Sequence, residues 1–238
     1  MKILLKTKFL KSISIVFVIL FIFSCSKQDV KSDNTNRTVN KTDSTLSNKV
    51  TLTENQKKVL DGAKKCLEAK FSYDMTMGYY VCTYKDGENT GSKVFPGGDV
   101  APDMGVCTDV IVRALRWGGV CDLQEEVYND LKANWSDYPM SRWSAKKPDP
   151  NIDQRRVPVL MVWFSKYWKT VHNDLQPGDV VAWDMNGDGW GDHIGIVSDM
   201  YGSDELLKMI HNFPDPGYVA EEDVLNEWTI IGHYRIKQ

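Results

Sequence analysis

Apolar positions in this chain recur first at helical spacing and later in strict alternation, and the change of period sets the fold class. After Thr53-Glu54-Asn55-Gln56, which has the form of a capping box, Val59, Leu60, Ala63, Leu67 and Phe71 recur every three to four residues and predict a helix over 54–70. Val110, Ile111, Ala114 and Leu115 continue a second helix that begins near Cys107 and stops at Gly118-Gly119. Asp122-Leu123-Gln124-Glu125 caps a third, ending near Asn134, and Pro158 suits the first turn of a fourth that ends near Tyr167. From Val180 onward the period is two. Residues 180–183, 193–198, 206–211 and 228–236 read as strands of an antiparallel sheet, and 73–84 also reads as extended. Helices precede strands, so the fold class is α+β, with N-terminal helices packed on a C-terminal antiparallel sheet.

The first fifty residues follow neither pattern. Lys2, Lys6, Lys8 and Lys11 precede an apolar run over 13–23 and then Ser24-Cys25, the form of a bacterial lipoprotein signal. Residues 1–24 are expected to be the signal peptide, with Cys25 the lipidated first residue of the mature chain. Residues 25–50 are nearly all Ser, Thr, Asn, Asp and Lys and cannot bury enough surface to order themselves. They form a tether whose flexible span is roughly 25 to 30 Å. Ser26 after the cysteine, by resemblance to bacterial lipoproteins, implies the outer membrane and its periplasmic side. Residues 51–238 suit one domain with one core.

The formal net charge of −3 and the lack of a dense basic block outside the signal argue against nucleic acid as a partner. Besides Cys25 the chain holds Cys66, Cys82, Cys107 and Cys121 with no CxxC pair, which argues against a thiolate metal site. No cofactor is expected, and the domain is expected to be monomeric.

Candidate chemistry centres on Gly105-Val106-Cys107-Thr108-Asp109, followed by Asp192-His193-Ile194-Gly195-Ile196-Val197 and Ile210-His211-Asn212. A thiol, an imidazole and a group to orient the imidazole are the minimum for acyl transfer. At a helix start, unpaired amides and the dipole favour a thiolate at Cys107 and can steady an oxyanion. His193 shares a strand face with Gly195, so that face lacks bulk and a helix is expected to approach it. His211 on the neighbouring strand can reach the far nitrogen of His193, while Asn212 or Asp192 takes that place if the register shifts by one.

Those residues resemble a known group. Leu175-Gln176-Pro177-Gly178-Asp179-Val180-Val181, then His193-Ile194-Gly195-Ile196-Val197 and Ile210-His211, look like the NlpC-type cell-wall peptidases, papain-like enzymes that cut peptidoglycan stem peptides or related amides. Phe95-Pro96-Gly97-Gly98-Asp99-Val100 through Asp109, Pro148-Asp149-Pro150-Asn151-Ile152-Asp153, Arg155-Arg156-Val157-Pro158 and Gly232-His233-Tyr234-Arg235 resemble more closely the YijF-like bacterial family, long described as a domain of unknown function. The resemblance implies a papain-like fold with Cys107 as nucleophile, His193 as base and later acid, and His211 as the orienting residue. It implies a membrane-anchored envelope hydrolase cleaving an amide or peptide bond, with peptidoglycan as substrate. Where the NlpC pattern has Asp-Cys-Ser, this chain has Val106-Cys107-Thr108.

Tyr80, Asp103 and Asp109 are further candidates to line the site. Arg155-Arg156 could clamp a substrate carboxylate or pair structurally with Asp149 or Asp153. Asp184 to Asp192 carries the first half of a calcium loop, but Gly195 stands where the loop needs a bidentate Glu, so a tight hairpin turn is the simpler reading. The alternatives to hydrolysis are a non-catalytic envelope module and acyl transfer to an acceptor other than water.

Overall fold

A computed structural model describes residues 51–76, 84–85, 88–89 and 94–238. Cys25, the tether, Tyr80 and Cys82 lie outside these described residues. Thr53 opens α1 (Glu54–Ala69) as its sequence predicts: Gln56 N donates to Thr53 Oγ1 at 3.2 Å and Thr53 N donates to Gln56 Oε1 at 3.0 Å. The chain then forms β1 (Ser72–Tyr73), a hairpin of β2 (Tyr84–Lys85) with β3 (Glu88–Asn89), and β4 (Met104–Gly105), which pairs with β1 in parallel. Three helices follow: α2 (Cys107–Trp117), α3 (Leu123–Ala133) and α4 (Val157–Tyr167).

The remaining strands are β5 (Lys169–Thr170), β6 (Val180–Asp184), β7 (His193–Tyr201), β8 (Leu207–Asn212), β9 (Val219–Glu222) and β10 (Thr229–Arg235). They form one six-stranded antiparallel sheet in the order β5-β10-β6-β7-β8-β9. The α+β expectation holds, and the four long helices and four main strands fall where the periodicity places them. Strands β3, β4, β5 and β9 are additions, each four residues or fewer. Of the predicted extended run over 73–84, Tyr73 lies in β1 and Tyr84 in β2, and the residues between lie outside those described.

Alternation divides the sheet's side chains between two apolar clusters. Val180, Ala182, Ile194, Ile196 and Ile210 pack with Val59, Ala63, Val110 and Ile111 from α1 and α2. Val181, Trp183, Val197 and Met209 point the other way and pack with Leu225 and Trp228. Helices α1 and α2 meet backbone to backbone because Gly62 and Gly118 face the contact. A Cβ on Gly62 would stand 1.9 Å from the Ala114 carbonyl oxygen, and one on Gly118 would stand 2.1 Å from that of Lys58. At the other end of the sheet the fully buried Asp179 accepts from Arg235 Nε at 2.8 Å and lies 2.7 Å from His233 Nε2, which anchors the entry to β6. His233 and Arg235 thus share the one carboxylate of Asp179.

Candidate active site

The start of α2 is locked from two sides. Asp109 Oδ2 accepts from Val106 N at 2.7 Å, and the same carboxylate is gripped by Arg155, Nε to Oδ1 at 2.9 Å and Nη2 to Oδ2 at 2.8 Å. Both side chains of this ion pair are only 4 % exposed, so it is a buried structural clamp. Arg155 thus pairs with Asp109, and its neighbour Arg156 donates from Nη1 to Asp153 Oδ1 at 3.1 Å, the structural pairing with Asp153 that the sequence offered for this arginine pair. Asn212 Nδ2 donates to Gly105 O at 3.2 Å, tying the end of β8 to the strand that leads into Cys107. Asn212 is therefore not the group that orients His193.

At the head of α2 the Cys107 thiol lies against the amides of Ile194 and Thr108. It touches the peptide that joins His193 to Ile194. Burial pushes the thiol up to about 12, against the downward pull of those two amides and of the Arg155 charge. The helix start was expected to favour a thiolate, but here desolvation outweighs the two amides and the Arg155 charge. Cys107 keeps 8 % of its surface exposed, which leaves it a narrow approach.

His193 and His211 are brought together, with Nε2 of the first 2.8 Å from Nδ1 of the second. Gly195 makes this possible: it lies between them on that face, and a Cβ there would stand 3.2 Å from His211 Cβ and 3.4 Å from Trp183 Cη2. The bare face of β7 accommodates an imidazole and an indole, whereas α2 packs on the opposite face, against Ile194 and Ile196. The expectation that a helix would approach the His193 face is corrected accordingly. The physical reason is that the two isoleucines offer more apolar area to α2 than a histidine and a glycine.

An aromatic shell surrounds His193. Trp183 stacks on it at 5.5 Å, Phe213 meets it edge-on at 5.0 Å and Trp228 at 5.5 Å. Burial, aided by His211, pushes His193 down to about 3, and burial alone pushes His211 down to about 4, so both rings are neutral near pH 7. Tyr73 adjoins the same group: its ring is 6.4 Å from Phe213, and its phenol is raised, first by burial and then by the nearness of the Cys107 sulfur. Beyond His211, Glu222 Oε2 stands 3.1 Å from Nε2, off the line of a hydrogen bond.

His193 and His211 are thus neighbours, Cys107 lies against the backbone of the next residue, Ile194, and Asp109 and Arg155 hold the start of α2. Asp192 is exposed and accepts from Met185 N at 3.1 Å within the β6–β7 turn, so it does not orient His193. Asp103 is exposed, and its backbone oxygen accepts from Ser72 N at 2.9 Å. Carboxylate oxygens of Asp184, Asp188 and Asp192 lie within 4.8 Å of one another in that turn, and Asp184 accepts from the amides of Asn186, Gly187 and Gly189. A groove of about 790 Å³ bordered by Tyr138, Pro158, Met161, Trp190 and Tyr234 contains none of the Cys-His-His residues.

Sequence reasoning missed Tyr73, Trp183, Phe213, Trp228 and Glu222. Phe213 was within reach, since alternation places it on the His211 face two residues on. Trp183 pairs directly with His193 across β6 and β7, a register that spacing alone does not supply.

Fold and site together define an α+β domain that sets a cysteine at a helix start against the backbone of a strand whose histidine contacts a second histidine on the neighbouring strand. The chain belongs to the family described as Domain of unknown function (DUF1287), whose pattern matches residues 62–236. It is 41 % identical over 182 residues to the uncharacterized protein YijF of Escherichia coli (strain K12), covering 74 % of this chain and 80 % of that protein. Among solved structures it is similar to an N-acetylmuramoyl-L-alanine amidase from Bacteroides uniformis, with a TM-score of 0.45 and 15 % identity over 78 % of this chain and 100 % of that one. It is also similar to the peptidoglycan hydrolase RipB of Mycobacterium tuberculosis, with a TM-score of 0.41 and 12 % identity over 79 % of this chain and 69 % of that one.

Proposed function

We propose that this protein is a papain-like cysteine hydrolase of the NlpC type, held in the cell envelope by a lipid on Cys25 and cleaving an amide or peptide bond of peptidoglycan. The observation that carries the reading is the 2.8 Å His193–His211 contact, with the Cys107 thiol against the neighbouring Ile194 amide. What supports the wall as substrate is the signal and tether read from the sequence and the motif resemblance.

In the resting site both thiol and imidazole are neutral, so the reaction starts by general base catalysis rather than from a preformed ion pair. As Sγ attacks the scissile carbonyl, His193 takes the thiol proton. The amides at the start of α2 face the oxyanion of the tetrahedral intermediate. Collapse breaks the C–N bond, His193 hands its proton to the leaving amine, and a thioester remains on Cys107. Water, deprotonated by His193, then releases the carboxylic acid and restores the thiol. Full-length protein incubated with purified peptidoglycan is expected to release new muropeptides, and Cys107→Ala is expected to release none. Identical profiles for the two proteins overturn the proposal.

The burial and neutrality of the Cys-His pair favour a second reading, a module that binds wall fragments without cutting them. Under that reading Cys107→Ala binds peptidoglycan as the parent does, and the parent leaves it intact.

A further inference from the structure

His211 is 1 % exposed, and its Nε2 is buried with no hydrogen-bond partner in line, although a carboxylate oxygen of Glu222 stands 3.1 Å away. Strand pairing explains the approach. Met209 lies opposite Glu222 and His211 opposite Ala220, so Glu222 and His211 are diagonal neighbours on one face of the β8–β9 pair. The adjacent Glu221 turns away to Ser198, leaving Glu222 as the carboxylate at this ring.

One hydrogen must lie between His193 Nε2 and His211 Nδ1, and a neutral imidazole carries one N–H, so only two arrangements exist. In the first, His211 holds its hydrogen on Nδ1 and donates to His193. His193 Nδ1 then carries the hydrogen and cannot take a proton from the thiol, while a bare His211 Nε2 faces a carboxylate. In the second, His211 holds its hydrogen on Nε2, toward Glu222, and accepts at Nδ1 from His193 Nε2–H. His193 Nδ1 is then the bare, basic nitrogen. A small rotation of either side chain brings His211 Nε2–H into line with Glu222 Oε2, and the carboxylate selects the second arrangement because it accepts and cannot donate.

We infer that Glu222 is a positioning residue that, through His211, fixes the tautomers of both imidazoles and leaves Nδ1 of His193 as the bare, basic nitrogen of the pair. The inference rests on the hydrolase reading, but its test does not require turnover. Long-range proton–nitrogen spectra of the full-length chain labelled at histidine report each tautomer directly, and mass spectrometry reports alkylation of Cys107 by iodoacetamide. The parent is expected to show His211 as the Nε2–H form. Glu222→Gln keeps an acceptor oxygen and is expected to retain that form. Glu222→Met keeps the length without an acceptor and is expected to lose it, with Cys107 alkylated about tenfold more slowly.

A purely structural role would let Met serve as well as Gln. An Nδ1–H tautomer in the parent, or parental tautomers and alkylation rates in Glu222→Met, overturns the inference. Intact peptidoglycan beside the expected tautomers would instead place the failure in the hydrolase reading.

Discussion

At the scale of single residues the buried Asp109–Arg155 pair is the most exposed to mutation, because neither partner has water to turn to. Replacing Arg155 by Ala leaves Asp109 buried and uncompensated at the head of α2. The expected cost is about 3 kcal/mol of folding stability, read as a lower urea midpoint at constant m value. The double variant Arg155→Met with Asp109→Asn is expected to lose less than the sum of the single changes, since no lone charge remains. An additive result would show that the two side chains do not act as a pair. Cys107 carries a second residue-scale prediction. With its thiol pushed up to about 12 and His193 pushed down to about 3, no stable thiolate–imidazolium pair forms in the resting protein. Its alkylation rate is expected to climb steadily with pH through the alkaline range. A plateau reached below neutrality would reveal a preformed ion pair and contradict the general-base mechanism.

At the scale of elements, the contact between α1 and α2 places Cys107, since α2 presents that residue only where its packing holds it. A methyl group at Gly62 would drive into the Ala114 carbonyl, a backbone atom that cannot swing aside. Gly62→Ala is therefore expected to destabilise the protein by about 1–3 kcal/mol and to lower Cys107 reactivity together with stability. Unchanged thermal unfolding would mean that the helices tolerate separation. The elements themselves were largely legible beforehand. Capping boxes and the 3.6 period give α1 and α3, and the switch to alternation gives β6, β7, β8 and β10. Strand β9 was not legible, because Val219-Ala220-Glu221-Glu222 neither alternates nor favours a strand by composition. With it went any sight of Glu222. The thiol and the histidine pair were visible as types and order, but their surroundings were not: Arg155 meets Asp109 across 46 residues of chain, and Trp183 meets His193 through a register that alternation leaves open.

At the scale of the whole molecule, enclosing two neutral histidines ties folding to pH. Their folded values of about 3 and about 4 lie below the ordinary value near 6.5, so the unfolded chain takes up protons that the folded one refuses. The sign follows from that difference: stability is unaffected above about pH 6.5 and is lost as pH falls toward the folded values, by something on the order of 2 kcal/mol per ring at about pH 5. Asp153 acts in the opposite sense, because burial raises its carboxyl to about 6 and the folded state then holds a proton more tightly than the unfolded one below that pH. The contribution of the histidines is isolated by comparing the parent with the double variant His193→Gln, His211→Gln across the same window. Urea unfolding at a series of pH values is expected to show the parent losing stability more steeply than the variant between about pH 6.5 and 5. Parallel curves would mean that the rings protonate freely in the folded protein. The site would then be open and charged, and the reaction would begin from an imidazolium instead of a neutral base.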